Sequence, residues 1–175
     1  KVYGMYIMEA EDLAVFSTKL AYRGYYYLAN DIDATDFTMP KYGTGYGAER
    51  DGYGLFGVFE GNGHVISNLT VNTGGIFGGI YNGTVQNVAF TGVKLTGYYP
   101  CLLAHSEKGS ATLKNIYVEV DSIATRGSAL FQQTMAAAAK HENIVVEYGI
   151  SKEDVKTVMA KNDNYANIST FAPNR

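Results

Sequence analysis

Residues 84–90 read Thr-Val-Gln-Asn-Val-Ala-Phe, and the same pattern returns three more times along the chain. The other copies are VISNLTV at residues 65–71, TLKNIYV at residues 112–118 and KHENIVV at residues 140–146. The central asparagines are 19, 28 and 28 residues apart. Apolar residues follow each asparagine one and three positions later, and in three copies another precedes it by two. Alternation with a period of two predicts short strands that bury one face.

The alternation changes phase at each asparagine, so the chain must bend there. Asparagine suits such a bend because its short amide side chain tolerates a left-handed backbone and bonds to nearby backbone groups. When these residues stack in successive turns of the chain, their amides can hydrogen-bond to one another as a ladder. We therefore predict a structural asparagine ladder made of Asn68, Asn87, Asn115 and Asn143.

A repeat of 19 to 28 residues is too short to bury its own apolar face, so neighbouring repeats must stack. Parallel stacking predicts a mainly β fold, a single-stranded right-handed parallel β-helix. The spacing of Leu13, Phe16 and Leu20 indicates an N-terminal capping helix at about residues 9–20. The coils then extend over about residues 23–148, with a short helical insertion expected within 132–139. A capping box at 151–154 predicts a short C-terminal helix within the tail 151–175.

The composition limits the classes of function that the chain can have. A length of 175 residues suits one domain over 1–175, which we expect to be a fragment of a longer modular protein. A formal net charge of −3 argues against nucleic acid as a partner. The lone Cys101 excludes an internal disulfide and zinc sites built from several thiolates. No apolar run approaches the roughly 20 residues that span a bilayer, so no membrane insertion is expected, and no catalytic, cofactor or metal motif is found.

Four segments resemble the GLUG-motif proteins of bacteria: AEDLAVFS (10–17), YYLANDIDATDF (26–37), FGVFEGNGHVISNLTV (56–71) and GGIFGGIYNGTVQNVAFTGV (74–93). Residues 75–78, Gly-Ile-Phe-Gly, match the defining Gly-Leu-hydrophobic-Gly pattern with Ile in place of Leu. The resemblance covers roughly residues 5 to 120, and the repeats at 100–104 and 129–132 depart from the pattern. It implies a secreted or cell-surface bacterial protein, usually modular and often adhesin-like, with no catalytic residues to transfer.

Tyrosine is the surplus residue that points to binding, because exposed aromatic rings stack on sugar faces and anchor protein interfaces. Tyr98 and Tyr99 fall in a loop between repeats, and Tyr117 faces outward by register. We predict these three as ligand-binding residues, with a glycan or a host or surface protein as the partner. The alternative interpretation is that the rings only shield neighbouring strands.

Acidic residues give two further candidate sites. Asp31, Asp33 and Asp36 have the chemistry of a calcium site, although they also fit a strand end whose acids face water and whose Ile32 points inward. Glu119 and Glu147 coincide in successive repeats and could pair as catalytic carboxylates, or form a solvated strand edge.

Three hypotheses for the function follow. The first is a non-catalytic, adhesin-like module outside the bacterial cell, and the second is a small polysaccharide-processing enzyme of the lyase or glycosidase type. The third is a structural spacer that binds no glycan. An enzyme requires a cleft where acidic and basic residues converge, whereas a binding module requires only an exposed aromatic surface.

Overall fold

The computed structural model describes residues 4–18, 23–40, 54–72, 74–97, 100–123, 131–134 and 136–148. Within these ranges the chain is mainly β, with twelve strands and one 3-10 helix at Ala10–Ser17. The strands are β1 (Gly4–Ile7), β2 (Tyr25–Leu28), β3 (Ile32–Asp33), β4 (Val58–Glu60), β5 (Val65–Ser67), β6 (Thr70–Val71), β7 (Gly79–Tyr81), β8 (Thr84–Leu95), β9 (Ala104–Lys108), β10 (Thr112–Ile123), β11 (Phe131–Thr134) and β12 (Lys140–Tyr148).

The larger sheet has the strand order β1-β2-β4-β8-β10-β12, and each of these pairings is parallel. Strand β10 lies between β8 and β12, so that Leu113 is level with Val85 on one side and with His141 on the other. The predicted 28-residue register of the last three repeats is therefore confirmed. Parallel pairing at this spacing places equivalent residues of successive repeats directly beside one another.

Strand β8 borders two separate groups of earlier strands. Its first part pairs with β4, and the part beyond Asn87 pairs with β5 and β6. The change of partner falls at the asparagine, where the sequence pattern changes phase. The chain therefore turns at this position, and a single long strand contributes to two lines of parallel pairing.

A second sheet has the order β11-β9-β7 and is also parallel. Both sheets face one hydrophobic core, to which the larger sheet contributes Phe59 and Phe90 and the smaller contributes Ile80. Phe16, Phe59 and Phe77 pack edge to face, with ring centroids 4.9 to 5.6 Å apart. The core thus joins the two sheets and the 3-10 helix.

The N-terminal helix differs from the prediction in its type. It is a 3-10 helix, whose three residues per turn bring Ala10, Leu13 and Phe16 to one side, and all three are buried. The spacing of Leu13 and Phe16 fits either helix type, and Leu20, which extended the α-helical pattern, lies outside the described residues. Glu9 and Asp12 close a capping box at its N-terminus.

Two further helix predictions have different outcomes. The helical insertion expected within 132–139 is wrong, because residues 131–134 form strand β11 and residues 137–138 form a turn. This turn is closed by the bond from the Ala139 amide to the Ala136 carbonyl at 3.1 Å. The C-terminal helix expected at 151 lies outside the described residues. In the part of the chain that the structure describes, no helix is long and apolar enough to cross a membrane.

Candidate functional site

Stacked asparagines hold the corner of the larger sheet. The Asn115 Nδ2 donates to Asn87 Oδ1 at 2.8 Å, and the Asn143 Nδ2 donates to Asn115 Oδ1 at 3.0 Å. Their φ angles are +52° to +56°, in the left-handed region that a sharp turn requires. The Asn87 Nδ2 in turn donates to Glu60 Oε1 at 3.0 Å, so a carboxylate accepts the first bond of the series.

Asn68 does not belong to this series, and its inclusion in the ladder is wrong. Ile66 is level with Phe90, which places Asn68 beside Gly92 at a second corner. There its Nδ2 donates to Asp33 Oδ1 at 3.1 Å. The 19-residue spacing between Asn68 and Asn87 therefore joins different corners of successive repeats, because the residue level with Asn68 is Gly92 and not Asn87.

Two further corners of the chain lie at asparagines outside the four aligned copies. Asn62 and Asn82 have φ angles of +52° and +55°. The Asn82 Oδ1 accepts a bond from the Ser110 backbone amide at 2.9 Å, which links one repeat to the next. Each of these asparagines precedes a glycine, and Asn-Gly is a strong turn signal that indicates both corners from sequence.

The predicted tyrosine site is not assembled in the described residues. Tyr98 and Tyr99 lie outside them. Tyr117 is half-buried, and its hydroxyl donates to Glu147 Oε2 at 2.8 Å. Glu147 is level with Glu119, as the register predicts. Because the Glu147 carboxylate already accepts a hydrogen bond from the Tyr117 hydroxyl, we interpret these side chains as a structural contact.

A different tyrosine surface lies at the first two strands of the larger sheet. We call Tyr6, Met8, Tyr25 and Tyr27 the tyrosine face. Tyr6 is 68% exposed, Met8 62% and Tyr25 42%. The rings of Tyr6 and Tyr27 are neighbours, with centroids 6.1 Å apart at 44°. The sequence predicts coils only from about residue 23, so β1 was not expected and neither was the side-by-side placement of rings from two strands.

An acidic cleft of about 390 Å³ begins where the tyrosine face ends. Met8 belongs to both the tyrosine face and the cleft, and the apolar part of the cleft wall is formed by Ile32 and Phe37. Ile32 is buried, as expected for a strand end with its acids outside. Five carboxylates line the cleft, and none of its described lining residues is lysine or arginine. The acidic residues are Glu9, Glu11, Asp31, Asp33 and Asp36.

Two of these carboxylates are fixed by hydrogen bonds. The Asp33 Oδ1 accepts from the Thr35 hydroxyl at 2.6 Å and from Asn68 Nδ2, and these bonds hold the pKa of Asp33 below its ordinary value. The Asp31 Oδ1 accepts from the Val65 amide at 2.9 Å and lies 3.1 Å from His64 Nδ1. Among the described residues, no three His, Cys, Asp or Glu side chains converge as metal ligands, and calcium at 31, 33 and 36 receives no support.

A buried polar pair links strands β9 and β12. The His141 Nε2 is 2.9 Å from Glu107 Oε1, and the Glu107 side chain has no exposed surface. Glu107 is level with the core residue Ile80, and His141 is level with the core residue Leu113. Both side chains therefore point into the interior, where each supplies a hydrogen-bond partner for the other. This arrangement indicates a structural role rather than contact with a substrate.

Comparison of the chain with protein-family models, curated proteins and solved structures finds no match. Membership of the GLUG-motif family therefore stays a prediction from the quoted segments.

Proposed function

We propose that the chain is a non-catalytic module that binds carbohydrate through the tyrosine face. The observation that carries this proposal is the exposure of Tyr6 and Tyr25 on adjacent parallel strands. A folded chain normally covers large aromatic side chains, and a cluster of exposed rings indicates a contact surface. The tyrosine side chains of this face are planar, and the rings of Tyr6 and Tyr27 lie 6.1 Å apart, so they offer stacking surfaces for consecutive sugar rings of a ligand.

The proposed scaffold is a single-stranded right-handed parallel β-helix. Its support is the 28-residue register of β8, β10 and β12, the parallel pairing in both sheets, and the common core between them. In this scaffold the 3-10 helix packs Phe16 against Phe59 and Phe77 near the first strands, which fits a covering role at the N-terminal end. The tyrosine face then lies on the outer surface of the earliest coils.

We further propose a location outside a bacterial cell, with an adhesin-like role. This proposal rests on the resemblance to GLUG-motif proteins, and a carbohydrate-binding surface suits such a role. The acidic cleft does not favour an enzyme that processes polysaccharides, because its described lining residues lack the lysine or arginine that would accompany the carboxylates.

A glycan array with the full chain tests the proposal. The decisive variant is Tyr6→Ala/Tyr25→Ala, and we expect it to lose about fivefold or more in affinity, because each exposed ring contributes about 0.5–1.5 kcal/mol of stacking. The variant Tyr98→Ala/Tyr99→Ala tests the other tyrosines that the sequence predicts as ligand-binding residues, and assignment of the site to the tyrosine face predicts that it binds like the wild type. Equal thermal unfolding curves would show that both variants are folded.

The alternatives give distinct results in the same experiment. Loss of binding only in the Tyr98→Ala/Tyr99→Ala variant would move the site to that loop and overturn the assignment to the tyrosine face. No binding by the wild type would favour the structural spacer. Release of shortened sugars during incubation would favour the enzyme.

A further inference from the structure

The tyrosine face and the acidic cleft form one continuous surface. Tyr6 and Met8 are two residues apart on an extended segment, so their side chains lie on the same side. The Asn30 Nδ2 donates to the Met8 carbonyl at 3.1 Å and thereby ties the end of β1 to the segment that enters the cleft. A chain-like ligand stacked on Tyr25 and Tyr6 would follow the strand direction and extend past Met8 toward the carboxylates.

Among the described residues that line the acidic cleft, every formal charge is negative, and the exposed Arg23, two residues before Tyr25, is not one of them. The cleft has five carboxylates, and the titratable neighbour that contacts them is His64, which lies beside Asp31. Asp12 is adjacent in sequence but turns its Oδ2 to the Met8 amide at 2.8 Å. Glu11 and Asp36 are exposed. The neighbouring tyrosine rings add the negative faces of their π systems, which attract cations.

The Asp33 carboxyl group stays ionised to a lower pH than that of an ordinary aspartate. Hydrogen bonds from Thr35 and Asn68 stabilise its charged form and lower its pKa. A ligand amine is protonated under the same conditions, so both partners are charged together.

From this complementarity we infer that the tyrosine face and the acidic cleft together select amine-bearing glycans, that is, oligosaccharides of amino sugars with free, protonated amino groups. The inference rests on the proposed carbohydrate-binding function and names its ligand class. The rings stack on the sugars, and the carboxylates accept charge-assisted hydrogen bonds from the ammonium groups. A neutral glycan gains only the stacking, and a uronate is repelled.

Calorimetric titration with three oligosaccharides of equal length tests this selectivity. The probes are a glucosamine oligomer, its fully N-acetylated form and a galacturonate oligomer, at about pH 5.5, where carboxylates and amines are both ionised. We expect the glucosamine oligomer to bind at least about tenfold tighter than the acetylated form, because charged hydrogen bonds contribute about 1.5–3 kcal/mol each. Added salt should reduce this preference.

Charge-neutralising variants locate the effect. Glu11→Gln/Asp36→Asn should reduce glucosamine-oligomer affinity about two- to thirtyfold, since exposed charge pairs contribute about 0.2–1 kcal/mol each. The control Glu119→Gln/Asp121→Asn removes two exposed charges from strand β10 and should bind like the wild type.

The outcomes separate this inference from the proposed function. Equal affinity for the glucosamine and acetylated oligomers overturns the selectivity and leaves carbohydrate binding intact. No binding of any of the three, with none on the glycan array, overturns both. A lysine-rich peptide that binds tighter than the glucosamine oligomer also overturns the inference, since the cationic partner would then be protein.

Discussion

At the scale of single residues, asparagine combines two properties that the corner requires. The left-handed conformation costs most L-residues about 1–2 kcal/mol, and asparagine is among the few that adopt it routinely. Glycine would adopt it freely but has no amide. In the series from Asn87 to Asn143, the amides of Asn87 and Asn115 both donate and accept and that of Asn143 donates, so one residue type bends the chain and links successive repeats.

Substitution of Asn115 separates these two contributions. We expect Asn115→Ala to lower the free energy of unfolding by about 2–4 kcal/mol, through the left-handed backbone and two lost hydrogen bonds. Asn115→Gly should lose only the hydrogen bonds, about 1–2 kcal/mol. Urea unfolding of both variants measures the difference, and a glycine variant no more stable than the alanine variant would contradict the backbone component.

Glu107 and His141 provide a second test at this scale. Glu107→Leu leaves His141 facing the core without its carboxylate, and we expect a loss of about 3 kcal/mol. Glu107→Leu/His141→Leu should recover most of this loss, because an apolar pair often replaces a buried polar pair at little cost. Urea unfolding of Glu107→Leu, His141→Leu and the double variant gives the coupling energy. Additive losses of unfolding free energy would show that the two side chains act independently.

At the scale of elements, small residues mark the entry into the larger sheet. The Gly24 carbonyl accepts a bond from the Val58 amide, and the Gly57 carbonyl accepts one from Thr84. The bonds from Thr112 to Gly83 and from Lys140 to Ala111 continue the series. At the three glycines of this series even a methyl group would clash with a neighbouring residue, so the segments stack closely there.

Gly57 is the most restricted position of this series. A Cβ atom built on Gly57 would lie 1.8 Å from the Gly24 carbonyl oxygen, so Gly57→Ala must displace backbone. We expect it to destabilise the protein by about 2 kcal/mol or more. Gly4→Ala is the matched control, because its Cβ would meet the nearest backbone atom at 3.6 Å and should be tolerated. Thermal unfolding compares them, and equal midpoints would argue against close stacking.

The sequence predicts some of these elements and not others, for physical reasons. The pairing of β8, β10 and β12 is predictable because two equal spacings align every apolar position. Asn68 is misplaced because an asparagine bend looks the same at any corner, and only the register distinguishes corners. The tyrosine face depends on β1, a four-residue strand with too short a pattern to detect. The acidic cleft requires the helix start and the β3 region to approach in space.

At the scale of the whole molecule, the 28-residue register makes the repeats interchangeable in length. Deletion of residues 112–139 joins Ala111 to Lys140, which is level with Thr112 in the intact protein. We expect this shortened chain to keep a β-sheet circular dichroism spectrum and cooperative unfolding at lower stability, since stacked repeats contribute nearly additively. A deletion of residues 112–125 breaks the register and should abolish folding. Cooperative folding of both variants would contradict the proposed coil.

The same register has an evolutionary consequence. Tandem duplication of a 28-residue unit would lengthen the molecule by about 4.8 Å, one strand spacing, and each new turn would meet an identical interior. Such growth would take place far from Tyr6 and Asp33 along the chain, so the reach of the protein could change across generations while its recognition chemistry was inherited intact.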